Sequence, residues 1–318
     1  MKRKIIILIL ILSIFSLSAC GVRLNKTEYS EKQKINVVST IFPSYDYVRE
    51  ISKGCNVELK MLLKPGTESH SYEPSPNDIV TIQNCDVFIY NGGESDVWVD
   101  YILETVDNPN MRVIKLMDCV KKVEEVAIDG MHVHENNSSN EETEYDEHVW
   151  TSPLNAIEIV KNITNTLIEI DPQNSEIYNK NSKDYISELL NLDNKIRDII
   201  KNSKKDTLIF GDRFPFRYFT DEYGLKYFAA FPGCSSESEP SAKTIAFLVD
   251  KIKNENISYV MYTEFSNHKI ADTLALETGA KIVRFHSCHN ISKIDMDNGV
   301  TYIDLMEENC KILREALS

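Results

Sequence analysis

The sequence predicts an α/β protein of two lobes, each a four-stranded, mainly parallel sheet flanked by helices, the two joined by one long backbone helix. Three observations carry that expectation. Short β-branched runs alternate with helix-like stretches from Ile35 onward, the signature of βαβ units and parallel pairing. The alternation occurs in two series of similar pattern, although no short sequence repeat relates them. Between the series lies a glycine-free stretch with helical spacing of its apolar residues.

The first series begins with "INVVST", followed by the helical "SYDYVREISKG". "NVELKMLL" precedes "PSPNDIVTIQNC", "DVFIYNG" precedes "ESDVWVDYILETV", and "RVIKLMD" closes the series. A long polar insert covers 121–147, and "SPLNAIEIVKNITNTLIEI" then reads as a helix entered at Ser152 and Pro153. The connecting stretch starts at Pro172. Its Ile177, Tyr185, Ile186, Leu189, Leu190, Leu192, Ile196, Ile199 and Ile200 recur at steps of three and four. Some thirty residues at ~1.5 Å each would span ~45 Å, more than a small domain needs, so a strut between lobes is expected. After it, "DTLIFGD", "KYFAAFPG", "SYVMYTEF" and "AKIVRFH" read as strands. "PSAKTIAFLVDKIKNEN" and "HKIADTLALETG" are helices between them, the second stopped by Gly279. The expected boundaries are 35–170 for the first lobe, 171–203 for the connecting helix and 204–318 for the second lobe.

The 318 residues carry a formal net charge of −14, which excludes nucleic acid as a partner because nothing would neutralise phosphates. The first twenty residues join a basic start, "MKRK", to an apolar run too short for a comfortable bilayer span. They end in "LSAC", so residues 1–20 read as a secretory signal. The ending resembles the bacterial lipobox, in which Cys20 becomes the lipid-modified N-terminus, and 21–34 follow as a polar tether. The expected location is therefore outside the cytoplasm, held to the cell membrane by acyl chains. Cys55, Cys85, Cys119, Cys234, Cys288 and Cys310 remain, without a CxxC pair, so a thiolate zinc knuckle is not expected. Buried free thiols are the expectation for most of them. A Cys234–Cys288 disulfide at the cleft rim is an alternative.

Parallel sheets place ligand-binding residues just past the carboxyl ends of their strands. His70 holds such a position after the second strand, and Gly211, Asp212, Glu264 and His286 hold it in the second lobe. His148 stands directly before a helix start. Brought together across a cleft, His70, His148 and His286 with one carboxylate would suit a divalent transition ion, zinc above all.

Four segments resemble, in order, those of the zinc- and manganese-specific solute-binding lipoproteins of bacterial ABC importers. "PGTESHSYEPSPND" is similar to the first ligand motif and carries His70; "DEHVWTSPLNA" is similar to the second and carries His148. "EPSAKTIAFLVDKIK" and "EFSNHKIADTLALETGAKI" resemble second-lobe segments. The resemblance spans the chain from about residue 35 to its end. It implies capture of Zn2+, with Mn2+ or Fe2+ as variants, and delivery to permease subunits by a monomer. This sequence departs from the pattern twice. The third ligand position falls on Arg213 or Gly211, neither of which can bind a cation, and the position usually held by Asp is His286. Glu264 is the first candidate for the missing donor, with a hydrogen-bonding role between the lobes as its alternative. Asp212, or else a helix cap, and a water molecule are the others. In the insert, His132 and His134 stand among acids, as zinc-handling members of the family often show. His268 and His289 are expected to be solvent-facing or structural. A zinc hydrolase with Glu264 as general base is the competing reading, although no HExxH, nucleophile elbow or P-loop occurs. An adhesin comes last.

Overall fold

Among the described residues eight strands form where the sequence places them, and they assemble into two sheets of the same topology. The computed structural model describes residues 34–68, 72–126, 130, 144–233 and 239–318. Strands β1 (Ile35–Ser39), β2 (Val57–Met61), β3 (Val87–Tyr90) and β4 (Arg112–Lys115) pair in the order β2-β1-β3-β4. Strands β5 (Thr207–Phe214), β6 (Lys226–Pro232), β7 (Tyr259–Tyr262) and β8 (Lys281–Arg284) pair as β6-β5-β7-β8. Every pairing is parallel. In each sheet the strand order reverses beside the first strand, and that switch point leaves a crevice at the carboxyl edge. The expected "mainly parallel" sheets are thus wholly parallel, and the similarity of the two series is one of topology.

Helix ends follow local chemistry. The Ser75 hydroxyl accepts the Asp78 N–H while Asp78 accepts the Ser75 N–H, a capping box that opens the helix Pro76–Gln83. Ser152 caps Pro153–Ile170 by accepting from the Asn155 N–H, as the Ser-Pro pair predicts. Gly279 ends Lys269–Thr278 at φ +79°, a left-handed conformation that a side chain would resist.

The connecting helix runs Ser175–Lys201, 27 residues or ~40 Å, and is shorter than the expected 171–203. Its first turn is a separate 3₁₀ turn, Pro172–Asn174, held by Asp171, which accepts from Asn174 Nδ2 at 2.7 Å and Tyr178 Oη at 2.8 Å. Tyr178, Tyr185, Leu189, Leu192, Ile196 and Ile199 form its buried stripe, while Leu190 stays exposed. Each such side chain removed from water contributes ~1.5–3 kcal/mol. The stripe packs on Phe42–Ile51, on Pro153–Ile170 and on the last helix, Tyr302–Ala316. Asn181 also donates through Nδ2 to the carbonyls of Ile51 and Lys53, satisfying the end of Phe42–Ile51.

Residues 34–318 form one compact unit. One apolar cluster runs from Val37 and Ile89 through Leu189 and Ile196 to Phe210 and Phe285, so both sheets share a core with the connecting helix. Polar ties reinforce it. Buried Asp46 accepts the Tyr302 N–H at 2.7 Å and pairs with Arg49, whose Nη2 donates to the Val300 carbonyl. The sequence reading did not pick out Tyr302–Ala316, although Thr301 and Asp304 form its capping box. Among the described residues no helix is long and apolar enough to cross a membrane. Cys20, the signal and the tether lie outside the described residues.

Candidate metal centre

The carboxyl ends of both sheets face a small cavity of about 40 Å³, lined among others by His148, Arg213, Glu264 and His289. Each of these side chains is delivered by a different local device.

His148 is fully buried, just before the turn Val149–Thr151. Asp146 grips it twice, accepting its backbone N–H at 2.8 Å and lying 3.3 Å from Nδ1. Gly233 backs the ring so closely that a Cβ there would lie 3.1 Å from Cε1. Nδ1–H directed at a carboxylate leaves Nε2 as the lone pair for a cation, the usual way a ligating imidazole is oriented. Burial alone would lower the proton affinity of His148, but the carboxylates of Asp146, Glu147 and Glu125 together outweigh it, so the pKa is raised above its ordinary value.

His289 comes from the loop after β8, and here the structure departs from the sequence reading. Expected to be solvent-facing or structural, it is 6% exposed and lines the cavity. Its ring centre is 5.8 Å from that of His148, nearly perpendicular, and 4.7 Å from Trp150. Two imidazoles on one tetrahedral ion with bonds of ~2.0–2.1 Å bring their ring centres to roughly 5 Å. The observed spacing is close to that.

His286, the sequence choice, does not line the cavity. Its Nδ1 accepts the Cys288 N–H at 2.9 Å, which puts the proton of a neutral ring on Nε2, so neither nitrogen offers a lone pair. Burial pushes its pKa below the ordinary value, in keeping with a neutral ring, against the pull of Glu264. The backbone then turns at Cys288, φ +63°, and the imidazole that lines the cavity is His289, three residues after His286. Two histidines in "RFHSCHN" were open to choice, and periodicity alone gives no preference between them.

Glu264 is committed to holding that turn. Its carboxylate accepts from Ser287 N at 2.7 Å, Ser287 Oγ at 2.5 Å and His289 N at 3.2 Å. All three donors belong to its own lobe, so it is not the hydrogen-bond link between lobes that was the alternative to ligation. Asp212, the rival donor, accepts from Thr263 N at 2.9 Å and Thr263 Oγ1 at 2.7 Å, tying β5 to β7 rather than capping a helix. Gly211 serves packing: a Cβ there would sit 2.5 Å from Ala271 Cα. The register of β5 against β6 shifts between Phe210 and Arg213, an irregularity of the kind that re-aims a side chain, and Arg213 lines the cavity.

The loops of the two lobes are clasped together beside the cavity. Asn290 Nδ2 donates to the carbonyls of Lys64 and Thr67, both at 2.8 Å, and Gly66 N donates to Ile291 O at 2.8 Å. Phe42 N donates to His289 O, and Trp150 Nε1 to Ser287 O. The clasp fixes the first-lobe chain up to Glu68, which itself lines the cavity. His70, His132, His134 and Cys234 lie outside the described residues. Among the described residues no three His, Cys, Asp or Glu side chains converge as a metal group. His268 pairs with Asp272 at 2.9 Å on the surface, as expected. Cys288 is a buried free thiol, and Cys234, its suggested partner, lies outside the described residues. The turn packs it into the core instead of the rim.

Comparison with known proteins identifies the family. The high-affinity zinc uptake system protein ZnuA of Bacillus subtilis is 34% identical over 313 residues, covering 94% of this chain and 93% of its own. The zinc-binding lipoprotein AdcA of Streptococcus pneumoniae is 31% identical over 98% of this chain, which spans only 61% of AdcA. Among solved structures, the metal-dependent lipoprotein YcdH of Bacillus subtilis aligns with a TM-score of 0.74 at 34% identity, over 90% of this chain and all of that one. The Zn(II)-bound ZnuA-like domain of Streptococcus pneumoniae AdcA aligns at 0.72 and 29%, over 90% and 99%. The family described as zinc-uptake complex component A, periplasmic, matches residues 37–316. With two equivalent parallel sheets, a connecting helix and imidazoles at their common edge, this chain belongs to that zinc-uptake component A family.

Proposed function

We propose that this protein captures one divalent zinc ion between its lobes and hands it to the membrane subunits of an ABC importer. The observation that carries the reading is the meeting of His148 and His289 at one buried cavity, in a chain of the zinc-uptake family. The proposed ligands are His148, His289 and, from its sequence position, His70, with His289 taking the place first given to His286. Glu264 acts as a positioning residue for His289. Imidazole donors favour a borderline ion such as zinc, and the zinc-binding relatives favour it over the Mn2+ and Fe2+ alternatives. The lobe boundaries at 35–170, 171–203 and 204–318, action as a monomer and anchoring through an acylated Cys20 belong to the same reading. A hydrolase is not favoured, because Glu264 has three donors on its carboxylate and is poorly placed to take a proton from water.

The test is a zinc titration against a competing chelator, with wild type, His148→Ala, His289→Ala and the double variant. Each single change is expected to weaken binding by about a hundredfold, or ~2.7 kcal/mol, and the double variant to lose tight binding. Affinity should also fall as pH drops, because protonated imidazole cannot ligate. The raised pKa of His148 means that its proton begins to compete at a higher pH than for an ordinary histidine. Unchanged affinity in the double variant would remove the site.

A further inference from the structure

We infer that one buried water at the switch point of the first sheet cross-links Thr40 and Asn91, which act as positioning residues for His289 and His148; the inference rests on the metal-capture reading. Thr40 directly follows β1 and Asn91 directly follows β3, the two strands between which the order of the sheet reverses. Each strand end already holds the chain beside a proposed ligand. Phe42 N, two residues past Thr40, donates to the His289 carbonyl at 3.2 Å. Asn91 Nδ2 donates to the carbonyl of Glu147, the residue before His148, at 2.9 Å, and to that of Gly92 at 3.1 Å. Those two bonds fix which way round the amide sits, so the end that points elsewhere is the acceptor Oδ1.

Thr40 is 3% exposed and Asn91 1%, yet among the described residues neither Thr40 Oγ1 nor Asn91 Oδ1 has a hydrogen-bond partner. A buried polar atom left without a partner is costly, and an ordered water is the usual remedy. Both residues line a second cavity, of about 10 Å³, together with Asp96 and His289. That volume suits a single water, which needs ~10–15 Å³. The bonding balances: the Thr40 hydroxyl donates to the water, and the water donates to Asn91 Oδ1 and to the Asp96 carboxylate on the same wall. Asp96 Oδ2 also accepts from Asn91 N at 2.8 Å and Gly92 N at 3.0 Å, which holds the loop around the site. His289 lines this cavity and the metal cavity alike. A water tying the end of β1 to the end of β3 there fixes the segment that holds His289 against the segment that holds His148. Partners that orient a ligand in this way change metal affinity by ~10–100-fold.

The experiment starts from crystal structures of the zinc-loaded and zinc-free wild type, which need no variant. An ordered water within hydrogen-bond distance of both Thr40 Oγ1 and Asn91 Oδ1 is expected in each. A cavity that is dry, or filled by a side chain, would overturn the inference. Thr40→Val then removes the hydroxyl while keeping the branched shape. Because no described protein group bonds Thr40 Oγ1, the sign of the result is decisive. With the water in place, the metal-free variant should unfold at lower urea than wild type. Its zinc affinity, measured by chelator competition, should fall about tenfold, and the visible bands of the Co2+-loaded protein should move. Thr40→Ser keeps the hydroxyl and should restore affinity and spectrum. Without the water, valine replaces an unsatisfied hydroxyl by a methyl group, so a variant at least as stable that binds zinc equally would overturn the inference. Lower stability with unchanged affinity and cobalt bands would overturn the positioning role, since the water would then serve the fold alone. Equal losses in Thr40→Ser and Thr40→Val would also overturn it, because the hydroxyl would not be the cause. Wild type that binds neither zinc nor cobalt would sink the metal-capture reading itself, while diffraction and unfolding would still judge the water.

Discussion

Glu264→Gln separates a ligand from a residue that positions one. The glutamate side chain is about 4% exposed, and its two oxygens receive three donors, Ser287 N and Oγ and His289 N. Glutamine keeps a carbonyl oxygen where Oε1 accepts from Ser287 Oγ and His289 N, but turns an amino group toward Ser287 N. A buried donor left without an acceptor costs ~1–3 kcal/mol, and hydrogen bonds to a charged acceptor, worth ~1.5–3 kcal/mol, weaken to neutral ones of ~0.5–1.5. The metal-free variant should therefore lose about 2–4 kcal/mol of stability, read from urea unfolding at neutral pH. In a unit of this size that corresponds to a Tm lower by very roughly 4–12 °C. Zinc affinity should fall by ~10–100-fold, the range for partners that orient a ligand. A Glu264 that bound the ion directly would show the opposite division: metal-free stability unchanged within ~0.5 kcal/mol, the scale of a neutral surface substitution, and affinity lost far more severely. That result would refute the positioning role.

Two further outcomes follow from buried contacts elsewhere. Burial raises the Asp46 pKa from 3.8 to about 6, despite the opposing Arg49 charge and the Tyr302 N–H, so the folded state holds its proton more tightly than the unfolded chain. The contribution of Asp46 is thus most favourable below pH ~4 and is lost as pH rises through about 6, a change of about 3 kcal/mol. Asp46→Asn removes that slope: the stability of the variant relative to wild type should rise by about this amount between pH 4 and 7 in urea unfolding, and parallel profiles would count against it. Gly211→Ala puts a methyl group 2.5 Å from Ala271 Cα and 2.6 Å from its nitrogen, backbone atoms that move only with their helix. The overpacking penalty of ~1–3 kcal/mol exceeds the ~0.4–1 kcal/mol gained by stiffening the unfolded chain, so Tm should drop; a Tm equal to or above wild type would refute the packing role.

Much of the fold was legible because its signals are local. Short β-branched and aromatic runs gave the eight strands of the described residues, and Ser152-Pro153 and Gly279 marked helix ends through the chemistry of a single turn. The connecting helix was visible in its stripe, though the 3₁₀ turn before Ser175 depends on Asp171 meeting Tyr178 seven residues on. The last helix carried a readable cap at Thr301 and Asp304 that periodicity alone did not bring forward. At the site, the sequence put Glu264 at a strand end and His148 before a helix start, both of which line the cavity, but it chose His286, whereas His289 is the histidine of that loop that lines it. No pattern within "RFHSCHN" reports that a glutamate some twenty residues earlier accepts the Ser287 and His289 N–H groups and so bends the chain.

By itself, then, the sequence determined the strand and helix inventory, the separation into two series and the chemical type of the donors, because each follows from side chains within a few residues of one another. Only the tertiary structure decided which imidazoles share a cavity, that Arg213 stands among them, and that Cys288 lies in the core. Those outcomes depend on contacts between chain segments far apart in sequence, such as Asn290 with Lys64 and Trp150 with Ser287, whose geometry is fixed only when both sheets close on the connecting helix.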